Sequence, residues 1–190
     1  MVNTATANGR GGSSSATRTL RKAPIRGHSL LALVILLLGL MGCSSNGTAL
    51  RLQKDTYTYK TVGDHRIQAD VYRQADDDET RPAIIWIHSG ALVVGSRDWI
   101  ASEQMEAYLE AGYAVISIDH RLAPETRLAA IVEDLEDAYA WVRSEGPELL
   151  RIDPHRIAVV GHSAGGYLAL LAGARLQPRP RALVSFYGYG

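Results

Sequence analysis

The stretch Gly161-His162-Ser163-Ala164-Gly165 constrains this chain more than any other part of it. Ile157 to Val160 is a short β-branched and apolar run, and Tyr167 to Leu176 has helix-forming composition, so the segment reads as strand, sharp turn, helix. Such a turn forces its central serine into a strained backbone conformation, while glycines at both sides let strand and helix approach without side-chain clashes. The spacing predicts that the Ser163 hydroxyl is lifted out at the end of a sheet. It also places the amide of Ala164 at a helix N-terminus, unpaired and suited to hold a developing oxyanion. Glycine-rich turns of this kind also bind phosphates, but no Gly-Lys-Ser/Thr follows and the Gly-x-Gly-x-x-Gly spacing of dinucleotide sites is missing.

At 190 residues the chain suits one domain, and a net charge of zero hides an asymmetry. Residues 1–42 carry five basic residues (Arg10, Arg18, Arg21, Lys22, Arg26) and no acid, which leaves 15 basic against 20 acidic residues in the remainder. There is no basic stripe with interleaved aromatics and no zinc-like Cys/His spacing, so neither nucleic acid nor a structural metal is expected. Asp76-Asp77-Asp78-Glu79 lacks the spaced ligands and glycine of a calcium loop and reads as solvated.

Residues 1–42 read as a disordered leader followed by a signal peptide. Met1 to Thr19 is polar without apolar periodicity, and the basic residues from Arg18 to Arg26 precede an apolar run from Leu30 to Met41. That run is about half the roughly 20 residues needed to cross a bilayer. Leu40-Met41-Gly42-Cys43 resembles the lipobox of bacterial lipoproteins, which implies lipidation of Cys43, the sole cysteine. The protein would then be anchored through lipid to a membrane surface of the cell envelope. Ser44 carries no acidic retention signal and is compatible with the outer membrane. Residues 43–50 would form a tether, and an uncleaved N-terminal anchor is the alternative.

Residues 51–190 alternate strand and helix patterns. Leu52–Val62 and Arg66–Tyr72, joined by Gly63-Asp64, predict an antiparallel hairpin with Ile67, Ala69 and Val71 on one face. Ala83–Ile87 and Tyr113–Ile118 read as buried parallel strands, and Ala182–Tyr187 as another. Ser96–Ala111 reads as a helix that turns Ile100, Ala107, Tyr108 and Ala111 toward the sheet. From Leu128 to Val142 apolar residues recur at offsets of three and four, leaving Glu133, Asp134, Glu136 and Asp137 as a solvated face. Asp153-Pro154 is a turn signal before the strand that leads to Ser163.

Three stretches carry a family resemblance. Gly161–Gly165 looks like the nucleophile elbow of the α/β-hydrolases; His88-Ser89-Gly90-Ala91 resembles the His-Gly-Gly-Gly/Ala loop of the hormone-sensitive-lipase-like esterases and carboxylesterases; and Asp119-His120-Arg121-Leu122-Ala123-Pro124-Glu125 is similar to their Asp-Tyr-Arg-Leu-Ala-Pro-Glu stretch. The resemblance implies an α/β-hydrolase three-layer sandwich, mostly parallel with an N-terminal antiparallel hairpin and incomplete at its C-terminal end. It implies hydrolysis of a small-molecule ester by Ser163, with an oxyanion hole from the amides of Gly90, Ala91 and Ala164 and no cofactor. Ser89 stands where the pattern has its first glycine, and its Cβ narrows the backbone angles open to the loop. His88 is expected to brace that loop, Asp119 and Arg121 to form a supporting ion pair, and His162 to point away from its neighbour's hydroxyl. The triad's acid and histidine follow the serine in this superfamily, yet no Asp, Glu or His follows Ser163. A fragment of a longer esterase is therefore expected. The alternatives are a non-catalytic lipid-anchored binding protein, or a peptidase or amidase of the same superfamily; oligomeric state is not encoded.

Overall fold

The computed structural model describes residues 51–75 and 78–189. The leader, the apolar run, Cys43 and all of the tether, together with Asp76 and Asp77 of the acidic run, lie outside the described residues. Six strands make one sheet: β1 (Leu52–Val62), β2 (His65–Gln74), β3 (Arg81–Ile87), β4 (Ala114–Ile118), β5 (Ile152–His162) and β6 (Ala182–Phe186), ordered β1-β2-β4-β3-β5-β6. β1 and β2 form the expected hairpin, and β2 meets β4 antiparallel. The remaining neighbours are parallel, with Ile85 opposite Ile116 on one side and Val159 on the other.

The apolar continuity of β3 and β4 follows from helices on both faces. Successive side chains of a strand point opposite ways. Ala83, Ile85, Ile87, Ile116 and Ile118 therefore share one core with α2 (Leu128–Ser144) and α4 (Ala164–Arg175). Ile84, Trp86 and Val115 share the other with Met105 and Leu109 of α1 (Ser102–Glu110). A single-turn helix, α3 (Gly146–Leu149), follows α2 where Gly146 and Pro147 break it.

Several local expectations need correcting. The predicted helix over Ser96–Ala111 is a 3-10 turn at Arg97–Trp99 and then α1, with Met105 and Leu109 buried and Ala107 and Ala111 exposed. Three acids in its sequence gave the helix an outer face, but the start was set by loop contacts that no periodicity records. β5 begins before the Asp153-Pro154 turn: Arg81 pairs with Ile152 and Ala83 with Ile157, so residues 153–156 are a bulge opposite Pro82, which cannot donate to a ladder. β6 is not buried: it is the outermost strand among the described residues, with Leu183 39% and Val184 38% exposed.

The ion pairing also differs. Asp119 and Arg121 do not pair with each other. Asp119 binds Arg97, whose guanidinium also reaches buried Asp70 at 2.9 Å. Arg121 grips Asp134 through Nε at 2.8 Å and Nη2 at 2.7 Å, and Lys60 adds 2.7 Å from β1. Asp134 is fully buried, not part of the solvated face. Burial pushes its carboxyl pKa up, but hydrogen bonds from Arg121 and Lys60 outweigh that and hold it below the usual carboxylate value. Asp134→Ala takes the carboxylate from Arg121 and leaves Lys60 with Asp137 alone. It should lower unfolding stability by about 2 kcal/mol at pH 7, read by urea denaturation. Because the folded carboxyl has a lowered pKa, its contribution is complete above about pH 4 and lost as pH falls further; the variant should lack that part of the acid slope.

Candidate active site

β5 runs straight into the elbow. Ser163 has φ 53° and ψ −114°, a left-handed backbone that costs a non-glycine residue on the order of 1–3 kcal/mol. It persists because main-chain bonds hold both sides: the Ser163 amide donates to the carbonyl of Phe186 in β6 at 2.7 Å, and its carbonyl accepts from Tyr167 in α4 at 3.0 Å. Its Oγ caps no helix amide and makes no hydrogen bond among the described residues. The half-buried hydroxyl is left to an incoming group.

Two glycines make the approach of α4 to the sheet possible. A Cβ on Gly161 would sit 2.0 Å from the carbonyl oxygen of Gly165, and one on Gly165 would sit 2.3 Å from the carbonyl oxygen of Ile87 and 2.5 Å from that of His88. The elbow thus rests on the main chain at the end of β3, where the His88 loop departs. Gly90 takes φ 115°, with no room for a Cβ beside the Val94 carbonyl, and accepts from the amides of Val93 and Val94. The strained positions after it are Ala91 (φ 53°) and Leu92 (φ 64°). Ser89 does not have positive φ, so its Cβ does not disturb the loop in the way expected. The amides of Gly90, Ala91 and Ala164 donate to no protein acceptor among the described residues.

His88 is buried and its Nδ1 donates to the carbonyl of Ser89 at 2.7 Å, bracing the turn. His120 does the same toward Arg121 at 2.8 Å. The two rings stack at 4.3 Å and 17°, joining the two motif loops, which Ala123 N to Leu92 O (2.7 Å) joins again. Since a carbonyl only accepts, both Nδ1 atoms carry the proton, and both buried Nε2 atoms have no partner among the described residues. Burial lowers both imidazole pKa values; for His120, burial together with the neighbouring His88 brings it to about 4.

His162 turns from Ser163 to the opposite face of β5, where its Nε2 meets Gln104 of α1 at 3.1 Å. Sequence reading missed Arg97, Asp134 and Gln104 as supports of the site. For Asp134 a signal existed: it lies three residues after Ile131 and four before Ala138, inside the apolar stripe.

A profile of the BD-FAE family matches residues 69–179, more than half of the chain. The chain belongs to the BD-FAE family. The BD-FAE match takes in both motif loops, the elbow and all of α4. Among curated relatives, a non-reducing polyketide synthase of Stereocaulon alpinum is 36% identical over 146 residues, 70% of this chain and 6% of that protein. Another, of Stachybotrys bisbyi, is 35% identical over 149 residues, 72% of this chain and 7% of that protein. Among solved structures, a bacterial heroin esterase superposes with TM-score 0.57 and 28% identity, over 75% of this chain and 45% of that one. The butyrate-bound esterase of the planctomycete Thermogutta terrifontis gives 0.61 and 25%, over 69% and 52%. The BD-FAE chain thus has the α/β-hydrolase fold of esterases. It spans about half the length of these structures and a small fraction of the synthases.

Two measurements test the geometry. Gly165→Ala should lower stability by about 3 kcal/mol in chemical denaturation, because the methyl meets main-chain oxygens that cannot swing aside. The histidine stack sets a pH dependence: both pKa values are depressed in the folded chain, so the unfolded chain binds protons first. Stability is complete above about pH 6.5 and falls as pH drops toward 4, on the order of 3 kcal/mol for His120. His120→Phe keeps an aromatic ring in the stack and should flatten that slope in denaturation curves taken at several pH values.

Proposed function

We propose that this BD-FAE protein is a serine hydrolase acting on carboxylic esters, of the hormone-sensitive-lipase-like type, through an acyl-enzyme. The observation that carries the reading is the strained, left-handed Ser163 with an unengaged Oγ, on an elbow that abuts the start of a loop whose Gly90 and Ala91 amides donate to no acceptor among the described residues. Ser163 Oγ attacks the ester carbonyl carbon and its proton goes to a base. The carbonyl oxygen becomes an oxyanion, taken by the amides of Ala164, Gly90 and Ala91. Collapse expels the alcohol, and water then releases the acid and restores Ser163. The named esterases among the structural neighbours support the ester as substrate class.

Hydrolysis also needs the base and a carboxylate to orient it. Among the described residues no histidine or carboxylate hydrogen-bonds to the Ser163 hydroxyl: His162 is engaged by Gln104, while His88 and His120 are buried with their Nδ1 atoms committed. That observation favours a second reading, a non-catalytic binding protein on the same scaffold. Cys43 as a lipid anchor, which would hold either form at a membrane surface, rests on the sequence.

Ser163→Ala separates the two readings. With p-nitrophenyl acetate as substrate and a fluorophosphonate as covalent probe, the hydrolase reading expects turnover at least about a thousandfold lower in the variant, no adduct, and an unchanged unfolding midpoint. Turnover retained in the variant would remove Ser163 from the mechanism. The binding reading expects the folded full-length protein neither to turn over the ester nor to label.

A further inference from the structure

Behind the elbow, on the face of the sheet away from α4, one side-chain amide is tied to three aromatic residues. Gln104 Oε1 accepts from the Trp86 indole at 3.2 Å, and its Nε2 reaches the Tyr108 hydroxyl at 2.9 Å and His162 Nε2 at 3.1 Å. An indole nitrogen only donates, so the atom facing Trp86 must be the amide oxygen. The amide orientation is then settled, and the atom facing His162 is an NH2 that only donates. His162 Nε2 must accept, which makes His162 a neutral imidazole with its proton on Nδ1. The ring is further packed by Trp86 at 5.7 Å and by Phe186 at 4.7 Å. Phe186 is the residue whose carbonyl holds the Ser163 amide.

The geometry points to Gln104 as a positioning residue for Ser163: by fixing the tautomer and ring plane of His162 it ties the elbow to α1 through the sheet. The inference rests on Ser163 as the reacting group, but its first test does not. The same packed cluster also holds the phenols of Tyr72, Tyr108 and Tyr113, while Glu103 and Glu106 flank Gln104 on α1 and are exposed; burial lowers the His162 pKa. Gln104→Glu keeps an acceptor for Trp86 but places a second acceptor where His162 had a donor, so only imidazolium satisfies the contact. Gln104→Leu removes the donor while leaving an apolar filler of similar size.

The experiment is nitrogen-15 NMR of the full chain across pH 5 to 8, in wild type, Gln104→Glu and Gln104→Leu. In the wild type, His162 should show unprotonated Nε2 and protonated Nδ1, titrating below 6.5, with the Ser163 and Ala164 amide peaks steady from pH 6.5 upward. In Gln104→Glu the His162 titration should move up by about one unit or more, and the two amide peaks should follow it, while the Trp86 indole resonance keeps its hydrogen-bonded shift. In Gln104→Leu the Nε2-protonated tautomer should gain population. A wild-type His162 protonated on Nε2, or a titration unmoved in both variants, overturns the tautomer assignment. Elbow amides indifferent to a shifted His162 titration overturn the positioning role. If these signals behave as stated but the protein does not hydrolyse esters, the ester reading fails and this one stands; hydrolysis by the wild type adds a readout, a kcat that falls in Gln104→Glu with KM unchanged.

Discussion

Main-chain contact between α4 and the sheet at Gly161 and Gly165 is the constraint on which the rest of the site depends. The helix comes so close that its first turn touches the carbonyls of Ile87 and His88 at the end of β3, which is possible only because Gly165 bears no Cβ. From that proximity follows the left-handed Ser163 between them, and from the left-handed backbone follows a hydroxyl that cannot reach round to cap the helix it precedes. The strain at one residue is maintained by the packing of two whole elements, a common way for reactive positions to be held.

A second layer of support is polar. Arg97 gathers Asp70 from β2 and Asp119 from the end of β4, and Ser117 donates to the Arg97 carbonyl. Arg121 gathers the buried Asp134 of α2, which Lys60 of β1 also reaches. These two clusters pin the segments that follow β3 and β4 at the same end of the sheet. The candidate amides at Gly90 and Ala91 therefore sit on a loop fastened at several points, and preorganised donors of that kind are what charge development requires.

The architecture was legible because continuous apolar runs, alternation and a three-four stripe are local signals. The hairpin, the central strands, α2 and the elbow all follow from them, and the elbow's backbone follows from glycine spacing. Partner choice among charged residues was not legible. Asp119 and Arg121 are two residues apart, yet each binds a residue more than ten positions away, because a strand end and a loop send them in different directions. Asp134 was assigned to solvent because acids usually are; its place inside the apolar stripe was the clue, and only tertiary cations make that place tolerable. The start of α1 and the extent of β5 were misjudged because loop bonds and a bulge leave no period in the sequence. Gln104 could not have been found from sequence, since its role exists only where α1 crosses Trp86 and His162.

The bond from Ser163 to Phe186 ties the candidate nucleophile to β6, the outermost strand among the described residues. Margins fray first, since fewer bonds and fewer packed neighbours hold them. An outward excursion of β6 would break the bond that holds the Ser163 amide. Whatever lies against β6 would therefore bear on the backbone of Ser163 as well.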